Sequence, residues 1–288
     1  MVASDAQTVS LYHHLWLPFW DAVRGVSANA DAFKRHAKAF PGAMDAAAAH
    51  QHSAMRHGFE VDDGWPLRSA LTEALDRRDD WRGAWGSIDR LAHDVVVTGQ
   101  WPKSPFVALG THWGAGMPTL AHLCAHGLKP RFVYRQEPDS VFTGAAARLA
   151  HRQHLRAIDR FGGAIRVGGA YAQIMEALAT GATPVILIDA PAEGRPTLTG
   201  RGHSIVLNVR SGLLDMLCRE QIRCVFYRCG FDPKTGVRQL HIGPECLPTD
   251  PQAIADQAAC HLDLALQFDS AQWRLWMVAD ALIHKASV

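Results

Sequence analysis

Pro105-Phe106-Val107-Ala108-Leu109-Gly110-Thr111-His112-Trp113-Gly114-Ala115-Gly116 is the stretch on which the fold turns. Phe106 to Leu109 is wholly apolar and strand-sized. The glycine-rich turn after it leads into a helix-like segment, Pro118 to His126. A short apolar run bounded by turn residues reads as a strand buried on both faces, the kind found in parallel sheets. Working outward, similar runs occur at Arg131 to Tyr134, Pro184 to Ile188 and Ile222 to Tyr227, with Val237 to Ile242 as an additional strand. Helical patterns at Thr143 to Arg156, Tyr171 to Ala179 and Ser204 to Arg219 separate most of them. This alternation predicts an α/β fold, with a mostly parallel central sheet flanked by helices. Gly162-Gly163 and Gly168-Gly169 fit neither dinucleotide nor phosphate-loop spacing, and read as turns around a short strand, Ala164 to Val167.

The flanks are helical. Alanine is dense from Ala28 to Ala54, broken at Pro41-Gly42, and a second helical stretch runs from Pro66 to Asp94. Helix returns at Pro251 to Phe268 and at Ala271 to His284. We therefore expect one domain over 1–288, with a helical N-terminal part (1–104) and an α/β part (105–288). Apolar residues at 48% and charged residues at 20% of 288 exclude a disordered chain. Lys plus Arg is 29 against 28 for Asp plus Glu, so no global field favours nucleic acid, and an anionic ligand must meet a local cluster. The apolar stretch Leu15 to Trp20 is short and broken by Pro18, unlike a signal peptide, and no run reaches the ~20 residues of a membrane helix. No two of the six cysteines form a C-x-x-C pair, so they read as reduced thiols of a cytoplasmic protein.

The candidate site starts at His112. A histidine beyond the carboxyl end of a strand lies where open α/β sheets bind ligands, and it can serve as a general base. A tight turn with a helix-capping histidine fits the same residues. Arg135, after the second strand, suits bidentate binding of a phosphate or, equally, a surface ion pair with Glu137 or Asp139. Asp189 and Glu193 follow the Pro184 to Ile188 strand, in a loop that also carries Arg195 and Arg201. Acids there are catalytic or orienting candidates, or turn caps. His122 and His126 share a helix face but lack a third ligand, so no metal is expected. Trp16, Trp20, Trp65, Trp81 and Trp85 form either a lip for an acyl chain or membrane surface, or ordinary packing.

Five elements taken in order resemble the lipid A late (lauroyl/myristoyl) acyltransferase family of the lysophospholipid acyltransferase superfamily. They are Gly110-Thr111-His112, Tyr134-Arg135-Gln136-Glu137-Pro138, Ile188-Asp189-Ala190-Pro191-Ala192-Glu193-Gly194, Thr199-Gly200-Arg201-Gly202-His203 and Gln272-Trp273-Arg274-Leu275-Trp276. The likeness spans about Pro105 to Asp280. It implies transfer of an acyl group to a hydroxyl; the departures from the family, a missing acid and a missing membrane helix, extend the expected acceptor to a hydroxyl or amine on a glycolipid or a secondary-metabolite intermediate rather than lipid A itself. The donor it implies is a thioester of acyl carrier protein or coenzyme A. His112 is the implied base, Arg135 binds anionic groups, and Thr111, Trp113, Glu193 and Arg201 are further substrate-binding candidates. No cofactor beyond the thioester co-substrate is implied.

The family carries an acid five residues after its histidine to orient the imidazole. Here that residue is Met117, and no acid occurs between Trp113 and Gln136. Asp189, or else Glu193, is the expected replacement. Family members usually begin with a membrane helix, which this chain lacks, so a cytoplasmic protein is expected, with peripheral contact at the cytoplasmic face of the inner membrane left open. The rival readings are a non-catalytic carrier-protein or lipid-binding homologue, and a thioester hydrolase.

Overall fold

The computed structural model describes residues 41–103, 105–135, 145–192, 194–235 and 237–285. Three helices come first: α1 (Pro41–Arg56), α2 (Trp65–Trp85) and α3 (Ile88–His93). Pro66 occupies the first turn of α2, where its missing N–H costs nothing, and the Ser87 side chain accepts from Arg90 N–H to cap α3. β1 (Val96–Thr98), β2 (Val107–Gly110), α4 (Met117–Ala125), β3 (Lys129–Tyr134), α5 (Ala145–Phe161), β4 (Ala164–Arg166), α6 (Ala170–Ala179) and β5 (Ala182–Leu187) follow. Then come β6 (Thr197–Arg201), β7 (Ile205–Arg210), α7 (Ser211–Arg219), β8 (Cys224–Phe231), β9 (Arg238–Cys246) and α8 (Pro251–Asp269). Two 3-10 turns (Ser270–Gln272 and Trp276–Val278), α9 (Ala279–Leu282) and β10 (Ile283–Lys285) end the described chain.

The fold is α/β, as the alternation predicts. A seven-stranded sheet has the order β1-β9-β8-β2-β5-β3-β4, parallel throughout except for the β8–β9 hairpin. The central strand β2 is buried along its length, which is why its sequence is an unbroken apolar run. Apolar clusters cover both faces of the sheet.

Two expectations are corrected. Ser204 to Arg219 is not one helix: Ile205-Val206-Leu207-Asn208-Val209 alternates buried and half-buried residues, a period of two, and forms β7 before α7 begins. It belongs to a small antiparallel sheet, β10-β7-β6, that the apolar runs do not announce. Ala271 to His284 is likewise not a single helix, because Trp273 and Trp276 are wholly buried and the chain turns to seat both. α8 lies close on β6: a Cβ on Gly200 would stand 1.9 Å from the Ala255 carbonyl oxygen, so only glycine permits this approach. No helix among the described residues is long and apolar enough to cross a membrane. Trp16 and Trp20 lie outside the described residues, whereas Trp65 is fully buried in the core.

Candidate active site

β2 and β5 run side by side with Gly110 opposite Leu187, and Ile188 N–H donates to the Gly110 carbonyl at 2.8 Å. Two residues beyond each partner stand His112 and Asp189, so strand register brings them level. The Nδ1 of His112 is 2.7 Å from Asp189 Oδ1. The His112 backbone N–H is shared between the two carboxylate oxygens, at 3.0 and 2.9 Å, and Trp273 Nε1–H donates to Oδ2 at 2.9 Å. The Asp189 side chain is fully buried, while that of His112 keeps 28% exposure. Burial alone would raise the Asp189 carboxyl. The His112 charge and the donors from His112 and Trp273 outweigh it and hold the carboxyl below the usual range. With Nδ1 engaged, Nε2 is the nitrogen left for chemistry.

The histidine loop is tied to the C-terminal segment. Gly114 N–H donates to Gln272 O (2.8 Å) and Arg274 N–H to His112 O (2.9 Å), and Trp113 bridges Trp273. Ala115 N–H donates to Cys229 O, and Gly114 has φ +74 with its Cα so close that a Cβ would lie 2.0 Å from that oxygen. Gln272 is itself fixed, its side chain donating to Phe231 O and accepting from Phe231 N–H. This is the structural content of the Gln272-Trp273-x-x-Trp276 element.

His112 opens onto a cavity of about 1310 Å³. One part is apolar, between the ends of β3 and β5 and helices α6 and α7, with Phe132, Val133, Ile174, Ile186, Leu213 and Met216. Another is polar and formed by one face of α2: Glu73, Asp76 and Asp80, met by Arg274 and by His154 of α5. Arg274 holds Asp76 at 2.5 Å and Glu73 at 3.0 Å, and His154 Nδ1 lies 2.8 Å from Asp80. The Arg274 charge draws the Glu73 carboxyl down to about 2, against the opposing effect of burial. Desolvation pushes Asp76 up to about 6. Sequence reading missed this wall, although the i, i+3, i+7 spacing of Glu73, Asp76 and Asp80 marks one helix face.

The remaining sequence candidates divide. Arg135 lines the cavity just past β3. Trp113 does not: it is buried against Phe268 and Gly230, with Nε1–H donating to Asp269 O, so its role is to anchor the loop. Thr111 is also buried away from the cavity lining, and its hydroxyl meets no partner among the described residues. Arg201 stands apart on β6, its N–H donating to Asp256 of α8. Glu193 lies outside the described residues. His122 accepts from Trp101 Nε1–H at 2.9 Å, and His126 Nδ1 bonds the His122 carbonyl oxygen. Met117 belongs to the apolar cluster that holds Ala108, Leu120 and Tyr227, and does not reach the cavity. The chain matches no model of a known protein family and no curated protein.

Proposed function

We propose that the protein is an acyltransferase that moves an acyl group from a carrier-protein or coenzyme A thioester to a hydroxyl or amine. The observation that carries this reading is the His112–Asp189 pair at the sheet's carboxyl edge, open to a cavity with a large apolar part. The motif resemblance supports it, with the orienting acid supplied from the end of β5 in place of the helix position taken by Met117.

In this mechanism Nε2 of His112 accepts the proton of the acceptor as its oxygen or nitrogen attacks the thioester carbonyl carbon. The tetrahedral intermediate collapses, the carbon–sulfur bond breaks, and the thiolate leaves and takes the proton from the imidazolium. Asp189 remains a carboxylate throughout; it fixes the tautomer and stabilises the imidazolium. The acyl chain occupies the apolar part of the cavity. Arg135 and the exposed Arg195, both in the cavity wall, pair with phosphate on the pantetheine arm or the acceptor. The protein works in the cytoplasm, in contact with the membrane surface if its acceptor is a lipid.

The test is incubation with acyl-carrier-protein and acyl-coenzyme A thioesters while thiol release is followed. Acceptor-dependent release with acyl product supports transfer. Release of free acid whether or not acceptor is present identifies a thioester hydrolase. Tight binding without release identifies a binding protein.

A further inference from the structure

Cys224 opens β8 and Cys246 closes β9, and the antiparallel register sets them directly opposite each other. Their sulfurs lie 3.0 Å apart. A disulfide bond is ~2.05 Å long and spans Cα separations of ~4.4–6.8 Å. Directly opposed antiparallel residues are ~4.5–5.5 Å apart, within that span. Closure therefore needs side-chain rotation and no shift of backbone. Both residues are free thiols, Cys224 buried and Cys246 partly open to solvent.

We infer that Cys224 and Cys246 form an oxidation site, in which a hydroperoxide converts the two thiols to a disulfide across the β8–β9 hairpin. Cys246 is the sulfur an oxidant reaches. Its thiolate attacks the peroxide oxygen, the O–O bond breaks, and a sulfenic acid forms with release of water or an alcohol. The Cys224 sulfur then attacks the sulfenic sulfur, and hydroxide leaves with the thiol proton as water. Two thiols are oxidised and one peroxide is reduced. The contact with the Cys224 sulfur holds the Cys246 thiol below its usual value and so favours the Cys246 thiolate. Cys218, in the last turn of α7, is the competing partly exposed thiol. Cys224 pairs with Val107 at the start of β2, the end of the strand opposite His112. The cross-link therefore pins the sheet at the edge away from the site.

The experiment treats the full chain with hydrogen peroxide and follows intact mass, peptide maps and melting temperature. Expected is a loss of about 2 Da, reversed by dithiothreitol, with a Cys224–Cys246 cross-linked peptide. The oxidised protein should melt several degrees higher, because the unfolded chain is constrained. Cys246→Ser should abolish the cross-link, and Cys218→Ser should leave it intact. Cys224→Ser should leave Cys246 trapped as a sulfenic acid that reacts with dimedone. A cross-link involving Cys218, or oxygen addition with no loss of about 2 Da, would overturn the inference even if Cys224→Ser fails to fold.

Discussion

Asp189 Oδ1 stands 2.7 Å from His112 Nδ1 while Asp189 also accepts the backbone N–H of His112, so one carboxylate fixes both ring and main chain of the same residue. A carboxylate that held only the ring could rotate with it; this one cannot turn without losing the backbone bond as well. The ring is therefore preset before any acceptor binds.

His112→Ala should lower turnover by at least ~10²-fold, the loss expected for a general base. The fold should persist, because the ring is partly exposed at a turn. Steady-state rates alongside circular dichroism check both parts. Full activity in the variant would sink the mechanism.

Asp189→Asn keeps the side-chain shape and removes the charge. Turnover should fall by ~10²–10⁴-fold, through loss of imidazolium stabilisation and of the preferred tautomer. Trp273→Phe removes one donor to the same carboxylate. It should cost about tenfold in kcat, or ~1.4 kcal/mol, with KM little changed. Unchanged kcat in Trp273→Phe would mean that its indole bond serves only packing.

Met117→Asp should not rescue or enhance activity. The side chain lies in an apolar cluster at 4% exposure, so an aspartate there is an acid buried among apolar groups. We expect destabilisation of about 3 kcal/mol, read from urea unfolding. A gain of transfer would show that position 117 can reach the site.

Two groups on the α2 wall set opposite limbs of a pH–stability curve. Asp80 holds the His154 imidazolium above its ordinary value in spite of the larger, opposing effect of burial. That contribution is fully present below about pH 6.5 and is lost as pH rises through the folded pKa. Glu73, held at about 2, contributes above its ordinary 4.5 and loses this as pH falls toward about 2. Unfolding titrations of His154→Gln should therefore show a flatter alkaline limb, with the Glu73 loss toward about pH 2 retained.

The core of this architecture is legible in the sequence because it obeys one rule. Phe106 to Leu109 and Pro184 to Ile188 are buried on both faces, so each appears as an apolar run, and their parallel pairing gathers the residues after each strand on one edge. That logic points to Asp189 as the partner of His112. It does not extend to Thr111 and Trp113, because a turn's sequence does not say which side chains point into a cavity; Trp113 is drawn into the core by Gly230, far along the chain. β7 resembles helix because the amphipathic pattern of α7 runs back into it. The acidic face of α2 escapes notice because charges on a helix ordinarily meet water, and only tertiary packing against Arg274 and His154 encloses them.

The ties from Gln272 and Arg274 to the histidine loop join residues separated by some 160 positions. Trp273 completes the carboxylate's set of donors from near the end of the described chain. During synthesis on the ribosome the sheet strands emerge well before these residues do. The pair at the sheet edge thus gains the indole donor and the loop ties only after residues 272–274 have been made, and a nascent chain that stops short of them would hold His112 through Asp189 alone.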